Sequence, residues 1–515
     1  MSKQHNNILF ELIQSMSQVE KAYFIKFYKE QGFTKKVNYL ELFKIIDSQK
    51  IYDESALKTT LAPSFKTADF PKYKHYLYKL IIKSLLACHS KVSAKSIIRD
   101  ELKGLELLYY KGLYNHCFAF LKRAKKLALQ YHINTYLIEI YRWEETLMMR
   151  NLNVKKDIVL LENNYKQQKQ AIRNLDNLLE FFNHRNKQQV LDRKYSEKIN
   201  SKAYLLEIEK FYHHELVQDK SKATNLKTKI IQVELTASYM NISNKSEAAY
   251  QARERALKLF DNQQKIQYLE DQWYYITLYN FLLSEIDTNR YTDAFITLQK
   301  LKTLKSSNPF LQYAIFFDTY NAELMLCIKT GDIQRGLKLV AQNQKRTKKL
   351  SKEQNFLYHI LLNQFYIAQL YWISEDYTNG IEAINRFTQY PAKQYVPELH
   401  NNINLMSMFF HLELNNLFYL EYRTESLKKI FQRTKTNSPL HEAVFTFFRD
   451  YLKRTNEKDK QRNDKMFNIL KNSIIALQEQ NIRSEIDSNI LFWIEAKLNK
   501  STIQDEIIKH HSKKP

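Results

Sequence analysis

The chain has 515 residues, of which 44% are hydrophobic and 26% charged, and this balance argues against disorder. It contains only 6 Gly and 7 Pro, so it lacks the turn residues of strand-rich folds and the glycines of phosphate-binding loops. The formal net charge of +24 attracts polyanions and acidic protein surfaces, although composition bias in a Lys-rich chain also contributes to it.

The location of the protein follows from its cysteines and apolar segments. Cys88, Cys117 and Cys327 are far apart in apolar helical surroundings, which predicts buried thiols in a reducing compartment. The first residues lack the features of a signal peptide, and no apolar stretch approaches the ~20 residues of a spanning helix. We therefore expect a cytoplasmic protein without a membrane partner.

Residues 1–95 are predicted to form short helices, as an N-terminal cap or small domain. Ser17 and Glu20 have the spacing of a capping box, in which each side chain bonds a backbone N–H at a helix start. Two further short helices, Tyr39 to Asp47 and Asp53 to Leu61, could form a helix-turn-helix, although the second is not especially basic. Pro71 opens a longer helix.

From residue 96 the pattern changes to long amphipathic helices. Residues 101–130 predict a helical hairpin that turns at Lys111 and Gly112. Residues 151–220 are more polar and predict a long helix packed on one side only. Its expected apolar stripe is Leu161, Tyr165, Ile172, Leu175, Leu179 and Phe182.

Three later turns share one register. An apolar residue opens the second helix, a small residue follows three positions later, and a larger apolar residue comes four positions after that. These triplets are Tyr291, Ala294 and Leu298; Ile333, Gly336 and Val340; and Tyr377, Gly380 and Ile384. The opening residues are 42 and 44 positions apart, and a weaker copy begins at Lys245, with Ala248 and Ala252. We expect each small residue to let the first helix of its own hairpin pack closely against the second.

These residues resemble the tetratricopeptide repeat, whose hairpins place an aromatic and then a small residue after a Gly-Asp or Gly-Asn turn. The resemblance covers about residues 101–126 and 245–390, with a period longer than the usual ~34 residues. It implies an all-α fold, an α-solenoid of tetratricopeptide-like hairpins with a concave binding surface. The segments SMSQVEKAYFIKFY and FPKYKHYLYKLIIKSL also resemble the start of uncharacterised helical proteins common in Bacteroidota.

We therefore predict three regions. An N-terminal cap spans 1–95, the hairpin array spans 96–440, and C-terminal capping helices with the basic tail KHHSKKP span 441–515.

Catalytic, cofactor and metal sites find no support in the sequence. The segment GDIQRG from Gly331 has the glycine spacing of a phosphate loop but lacks the Lys-Ser/Thr pair, so it predicts a tight turn within a hairpin. His213 and His214 are adjacent rather than one helical turn apart, which disfavours a shared metal. We expect neither an enzyme nor a cofactor.

Basic clusters are the only candidate site, as a possible polyanion contact. They comprise Lys122, Arg123, Lys125 and Lys126, and then Lys345, Arg346, Lys348 and Lys349. Solvated helix faces carry the same pattern. Two functions remain. One is a scaffold that binds a peptide or protein partner, which the predicted repeat architecture favours, and the other is a nucleic-acid-associated protein, such as a regulator, that uses these basic faces.

Overall fold

The fold is described from a computed structural model. The described residues are 8–31, 39–61, 67–90, 93–150, 154–195, 202–261, 271–306, 308–350, 356–390, 397–434, 438–453, 460–479 and 486–512. Helix accounts for 88% of them and they contain no strand, so the predicted all-α class is confirmed. Within these ranges, every helix is too short or too polar to cross a membrane.

The chain divides into two compact units, Met1–Ala171 and Ile172–Pro515. The dividing point lies inside helix α9, and the predicted boundaries after residues 95 and 440 stay predictions. Unit 1 contains α1 (Ile8–Ser15), α2 (Gln18–Glu30), α3 (Tyr39–Ser48), α4 (Glu54–Leu61), α5 (Phe70–Cys88), α6 (Ala94–Tyr110), α7 (Tyr114–Gln130), α8 (Asn134–Met148) and the first part of α9 (Val154–Lys194).

Unit 2 continues α9 and adds sixteen α-helices among the described residues. They are α10 (Lys202–Tyr212), α11 (Glu215–Gln218), α12 (Leu226–Ile242), α13 (Ser246–Asp261), α14 (Asp271–Asp287), α15 (Tyr291–Thr303), α16 (Pro309–Thr330), α17 (Ile333–Leu350), α18 (Leu357–Ile373), α19 (Tyr377–Thr388), α20 (Pro397–Glu413), α21 (Leu417–Thr434), α22 (Pro439–Leu452), α23 (Lys460–Glu479), α24 (Asp487–Asn499) and α25 (Ile503–Ser512).

Local signals in unit 1 produce the predicted helices. Ser17 Oγ accepts a hydrogen bond from Glu20 N at 3.2 Å, and Glu20 Oε2 accepts one from Ser17 N at 2.6 Å, which confirms the capping box. Gly112 has φ +74° between α6 and α7 and so ends the first helix of the predicted hairpin.

The cysteines can be compared with their predicted burial. Cys117 in unit 1 and Cys327 in unit 2 are buried as expected, and Cys88 is half-buried.

Unit 2 repeats a single type of turn. Five helix pairs from α12 to α21 are each joined by a residue with positive φ: Asn244, Asn289, Gly331, Glu375 and Asn415. At the Asn289 turn, the next backbone N–H, of Arg290, bonds Glu285 O at 2.8 Å, which closes the first helix with a Schellman-type bond. Neighbouring helices pack along the whole series, and α14, α16, α18 and α20 also contact one another in turn.

The turns correct the predicted repeat in two places. The weak copy opens at Ser246 rather than Lys245, so its small residue is the fully buried Ala249 and not Ala248. A further helix opens at Leu417 after the positive-φ residue Asn415, and its third following position is the fully buried Leu420 instead of a small residue, so the predicted register did not include it. The GDIQRG segment forms the predicted tight turn, with Gly331 at φ +74°.

Small residues in the register are buried, but their closest neighbours differ from those expected. Ala294 is fully buried. A Cβ atom at Gly336 would lie 2.6 Å from Leu370 Cδ2 of α18 and 3.3 Å from Cys327 Cβ of α16. A Cβ atom at Gly380 would lie 2.3 Å from Phe410 Cε2 of α20. The small residue therefore allows close approach chiefly by the first helix of the following hairpin.

Gly380→Ala is expected to lower the free energy of unfolding by about 1–3 kcal/mol, because Phe410 is fully buried and has little room to move. The better helix propensity of Ala, about 1 kcal/mol, opposes this loss. Gly104→Ala is the matched control: a Cβ there would lie 2.5 Å from Phe120 Cε1, but that ring is only half-buried and has more room to move. Thermal melting followed by circular dichroism measures both, and equal losses would contradict the packing argument.

The long helix α9 buries a different face from the predicted stripe. Tyr165, Ile172 and Leu179 are more than half exposed. Its buried residues are Asn164, Ala171, Phe181, His184, Gln188 and Leu191. The polar members are buried because they find partners: Asn164 Nδ2 donates to Tyr141 O at 3.1 Å and Gln188 Nε2 to Ser238 Oγ at 3.0 Å.

The first four residues of the predicted basic tail, 509–512, end helix α25, which packs on the hairpins of unit 2. Gln504 Nε2 donates to Gly331 O at 2.9 Å, and Ile503 N donates to Glu375 Oε1 at 3.2 Å. The His511 ring meets the Tyr291 ring edge-on, with centroids 5.2 Å apart. Helix α25 thus contacts three successive turn regions, and residues 513–515 lie outside the described residues.

Candidate functional site

The basic residues proposed as a polyanion contact lie on two helices, one in each unit. Lys122, Arg123, Lys125 and Lys126 are on α7 in unit 1. Lys345, Arg346, Lys348 and Lys349 are on α17 in unit 2. The side chain of Lys349 lies outside the described part of the chain.

Half of the α7 cluster is engaged within unit 1. Arg123 donates to both oxygens of Glu101, at 2.9 and 2.8 Å, and Lys125 to both oxygens of Glu144, at 2.7 and 2.8 Å. These ion pairs hold α7 to α6 and α8. Lys122 and Lys126 are exposed and form no ion pair with any residue in the described ranges.

The α17 cluster is also partly engaged. The Arg346 guanidinium lies 3.7 Å from the centroid of the Phe316 ring, and burial lowers the pKa of this arginine. Lys345 and Lys348 are exposed. The structure therefore gives several of the predicted basic residues packing roles, and only part of each cluster is available to an external anion.

The histidine pair takes part in local structure. His214 Nδ1 accepts a hydrogen bond from Leu216 N at 3.2 Å and so caps α11, while His213 Nε2 lies 3.9 Å from Glu209 Oε1. Across the described residues, no group of three His, Cys, Asp or Glu side chains is arranged to hold a metal ion.

A cavity in unit 2 is the strongest candidate site. It has a volume of about 510 Å³ and lies among α9, α12, α13 and α14. Its lining residues are Phe182, Arg185, Gln188, Gln189, Asp192, Ile230, Ile231, Glu234, Leu235, Ser238, Arg253, Gln272, Trp273, Ile276, Thr277 and Asn280. A volume of this size accommodates a small molecule or a few side chains of a partner.

Helical spacing brings these side chains together. Phe182, Arg185 and Gln189 follow one another at intervals of three and four along α9, as do Trp273, Ile276 and Asn280 along α14. Each helix therefore turns one face to the cavity. Phe182 and Trp273 form part of the wall, with ring centroids 6.0 Å apart.

Two hydrogen bonds fix the helices around the cavity. Gln188 Nε2 joins α9 to Ser238 Oγ of α12 at 3.0 Å. Asn280 Nδ2 of α14 donates to Glu234 Oε2 of α12, also at 3.0 Å. The exposed Gln189 and Gln272 amides stand at the rim, and no hydrogen bond joins either to another described residue. The site thus combines a fixed interior with free amides at its edge.

Charged groups occupy the interior. Arg253 Nε lies 3.5 Å from Glu234 Oε2, with side-chain exposures of 11% and 20%. Burial raises the pKa of the Glu234 carboxyl, and the positive charge of Arg253, the hydrogen bond from Asn280 and the charge of Arg185 oppose this shift only in part. Among the described residues, the buried Glu234 Oε1 accepts no hydrogen bond and the buried Arg253 Nε donates none.

Sequence reasoning missed this cavity because its residues come from segments that are far apart in the chain. Gln188 and Ser238 are 50 residues apart, and Glu234 and Asn280 are 46 apart. The only sequence feature that pointed to the cavity was the series of arginines and glutamines on α9, and this pattern is also typical of a solvated helix face. Comparison of the chain with protein-family models, with curated proteins and with solved structures finds no match to any of them.

Proposed function

We propose that this protein is a non-catalytic, cytoplasmic interaction scaffold that binds a peptide or protein partner, with the α9–α14 cavity as the anchoring point. The observation that carries this proposal is the combination in one cavity of apolar walls, buried charges and free amides at the rim. Such a mixture suits a short segment of polypeptide, whose backbone needs hydrogen-bond partners while its side chains need pockets.

The hairpin series supports the same reading. Five successive hairpins with one turn type are what a tetratricopeptide-like solenoid requires, and such arrays use long surfaces to bind other chains. We propose that the hairpins of unit 2 extend the binding surface beyond the cavity, so that the cavity selects the partner's anchoring residues.

A display library of random peptides, panned against the full chain, tests this function. We expect enriched peptides whose affinity falls about thirtyfold in Trp273→Ala, because a central aromatic contact is worth about 2 kcal/mol or more. Tyr422→Ala is the control, since Tyr422 is 73% exposed on α21 and does not line the cavity. Fluorescence anisotropy with labelled peptides gives the affinities, and thermal melting verifies that both variants are folded.

The nucleic-acid alternative is measured in the same assay. The exposed Lys122, Lys126 and Lys345 and the net charge of +24 favour some attraction to phosphates. We expect a random-sequence oligonucleotide to bind weakly and to be released as salt rises. If it binds tightly at near-physiological salt, loses binding when these three lysines become Ala, and no peptide is enriched, the alternative replaces the scaffold.

A further inference from the structure

Two arginines line the α9–α14 cavity without a full set of partners. Arg185 is half-buried and forms no hydrogen bond or ion pair with another described residue. Arg253 is only 9% exposed, and its Nε has no hydrogen bond within the described ranges. A guanidinium carries five N–H donors in a fixed plane, so both arginines retain donors for an acceptor from outside.

The two acids that line the cavity already accept hydrogen bonds from the protein itself. Glu234 pairs with Arg253 and already accepts a hydrogen bond from Asn280, and Arg185 acts on it only through its charge. Asp192 accepts one from Tyr204 Oη at 2.9 Å. Burial raises the pKa of both carboxyls, whereas arginine stays charged at any physiological pH. Both carboxyls are therefore engaged, and the N–H donors of Arg185 stay available next to an apolar wall.

The apolar wall lies in the same cavity. Phe182 and Trp273 lie close together, and Ile276 follows Trp273 by three residues on the same face of α14. An aromatic or aliphatic group can pack on this surface while an attached anion reaches the guanidinium groups. Arginine is suited to this arrangement because its fork matches the two oxygens of a carboxylate or phosphate.

We propose that this cavity binds an anionic group, a carboxylate or a phosphate, attached to an apolar or aromatic body. Arg185 and Arg253 contact the anion, and Phe182 and Trp273 contact the body. The proposal deepens the function proposed above and rests on it to the extent that the anion belongs to a bound peptide. An acidic or phosphorylated residue next to an apolar one is then the preferred anchor.

Four fluorinated probes of similar size test the charge requirement on the full chain. They are 3-(4-fluorophenyl)propionate, 4-fluorophenyl phosphate, the neutral 3-(4-fluorophenyl)propanamide and the cationic 4-fluorophenethylamine. Fluorine NMR relaxation of each probe reports its binding. We expect at least one of the two anions to bind more tightly than the amide and the amine. The anion that binds more tightly shows whether the cavity prefers a carboxylate or a phosphate.

Single substitutions locate the binding. Arg185→Gln is expected to weaken binding of the anion about tenfold, because it removes one charged contact, and to leave the neutral amide unchanged. Lys187→Gln is the matched control: it removes one exposed cation from the same helix at a position outside the cavity. Arg253→Gln is a second variant, accepted only if its melting curve shows a folded chain.

Three results overturn the proposal: no binding of either anion at millimolar concentration, amide or amine binding as tight as anion binding, or an unchanged anion affinity in Arg185→Gln. The outcomes also separate the two proposals. Enriched peptides that bind wild type and Arg185→Gln equally leave the scaffold function in place and remove the anion site. Binding of the anionic probes without any enriched peptide leaves the anion site in place and removes the scaffold function.

Discussion

Phe409→Ala is expected to lower the free energy of unfolding of unit 2 by about 3–5 kcal/mol, because it removes a large side chain from the centre of an aromatic cluster. The Phe409 ring is fully buried, and its centroid lies 5.2 Å from that of Trp372, 5.1 Å from Phe448 and 5.0 Å from Trp493. Truncation removes contacts with α18, α22 and α24 at once and leaves a cavity that rigid neighbouring rings cannot fill.

Phe418→Ala provides the control for this substitution. Phe418 is 94% exposed on the neighbouring helix α21, so its removal is expected to change stability by no more than about 0.5 kcal/mol. Denaturant unfolding followed by circular dichroism compares the two variants. Similar midpoints for Phe409→Ala and wild type would show that the ring cluster is not the core of unit 2.

Glu285→Gln is expected to stabilise the protein at pH 8 and to have little effect at pH 5. Burial raises the pKa of the Glu285 carboxyl from 4.5 to about 7, although the hydrogen bond from Thr297 Oγ1, 3.1 Å from Glu285 Oε1, opposes the shift. The folded state therefore holds this proton more tightly than the unfolded chain does. Stability contributed by the protonated carboxyl is lost as the pH rises from about 4.5 to 7.

Glutamine has no proton to lose, so the variant avoids this penalty. Allowing for partial solvent screening, we expect a gain on the order of 2 kcal/mol above pH 7. Thermal melts at several pH values should show the difference between variant and wild type growing across the titration window. Glu421→Gln, at an exposed position on α21, controls for the loss of one negative charge. A gain in Glu285→Gln that does not depend on pH would contradict ionisation as its cause.

The sequence alone predicted the features that depend on local interactions. Scarcity of glycine and proline argued against a strand-rich fold, and 88% of the described residues are helical. The capping box of Ser17 and Glu20 and the turns at Gly112 and Gly331 follow from residues a few positions apart, where chain geometry leaves few alternatives.

Tertiary structure decided which helix faces are buried and which residues meet. The buried face of α9 carries Asn164, His184 and Gln188, which the apolar pattern placed outside, because their partners come from other helices. The fifth hairpin escaped detection because Leu420 is accommodated by packing that no local pattern specifies. The cavity between α9 and α14 likewise depends on side chains 46 to 50 residues apart, and contacts over such separations are fixed only when the helices pack.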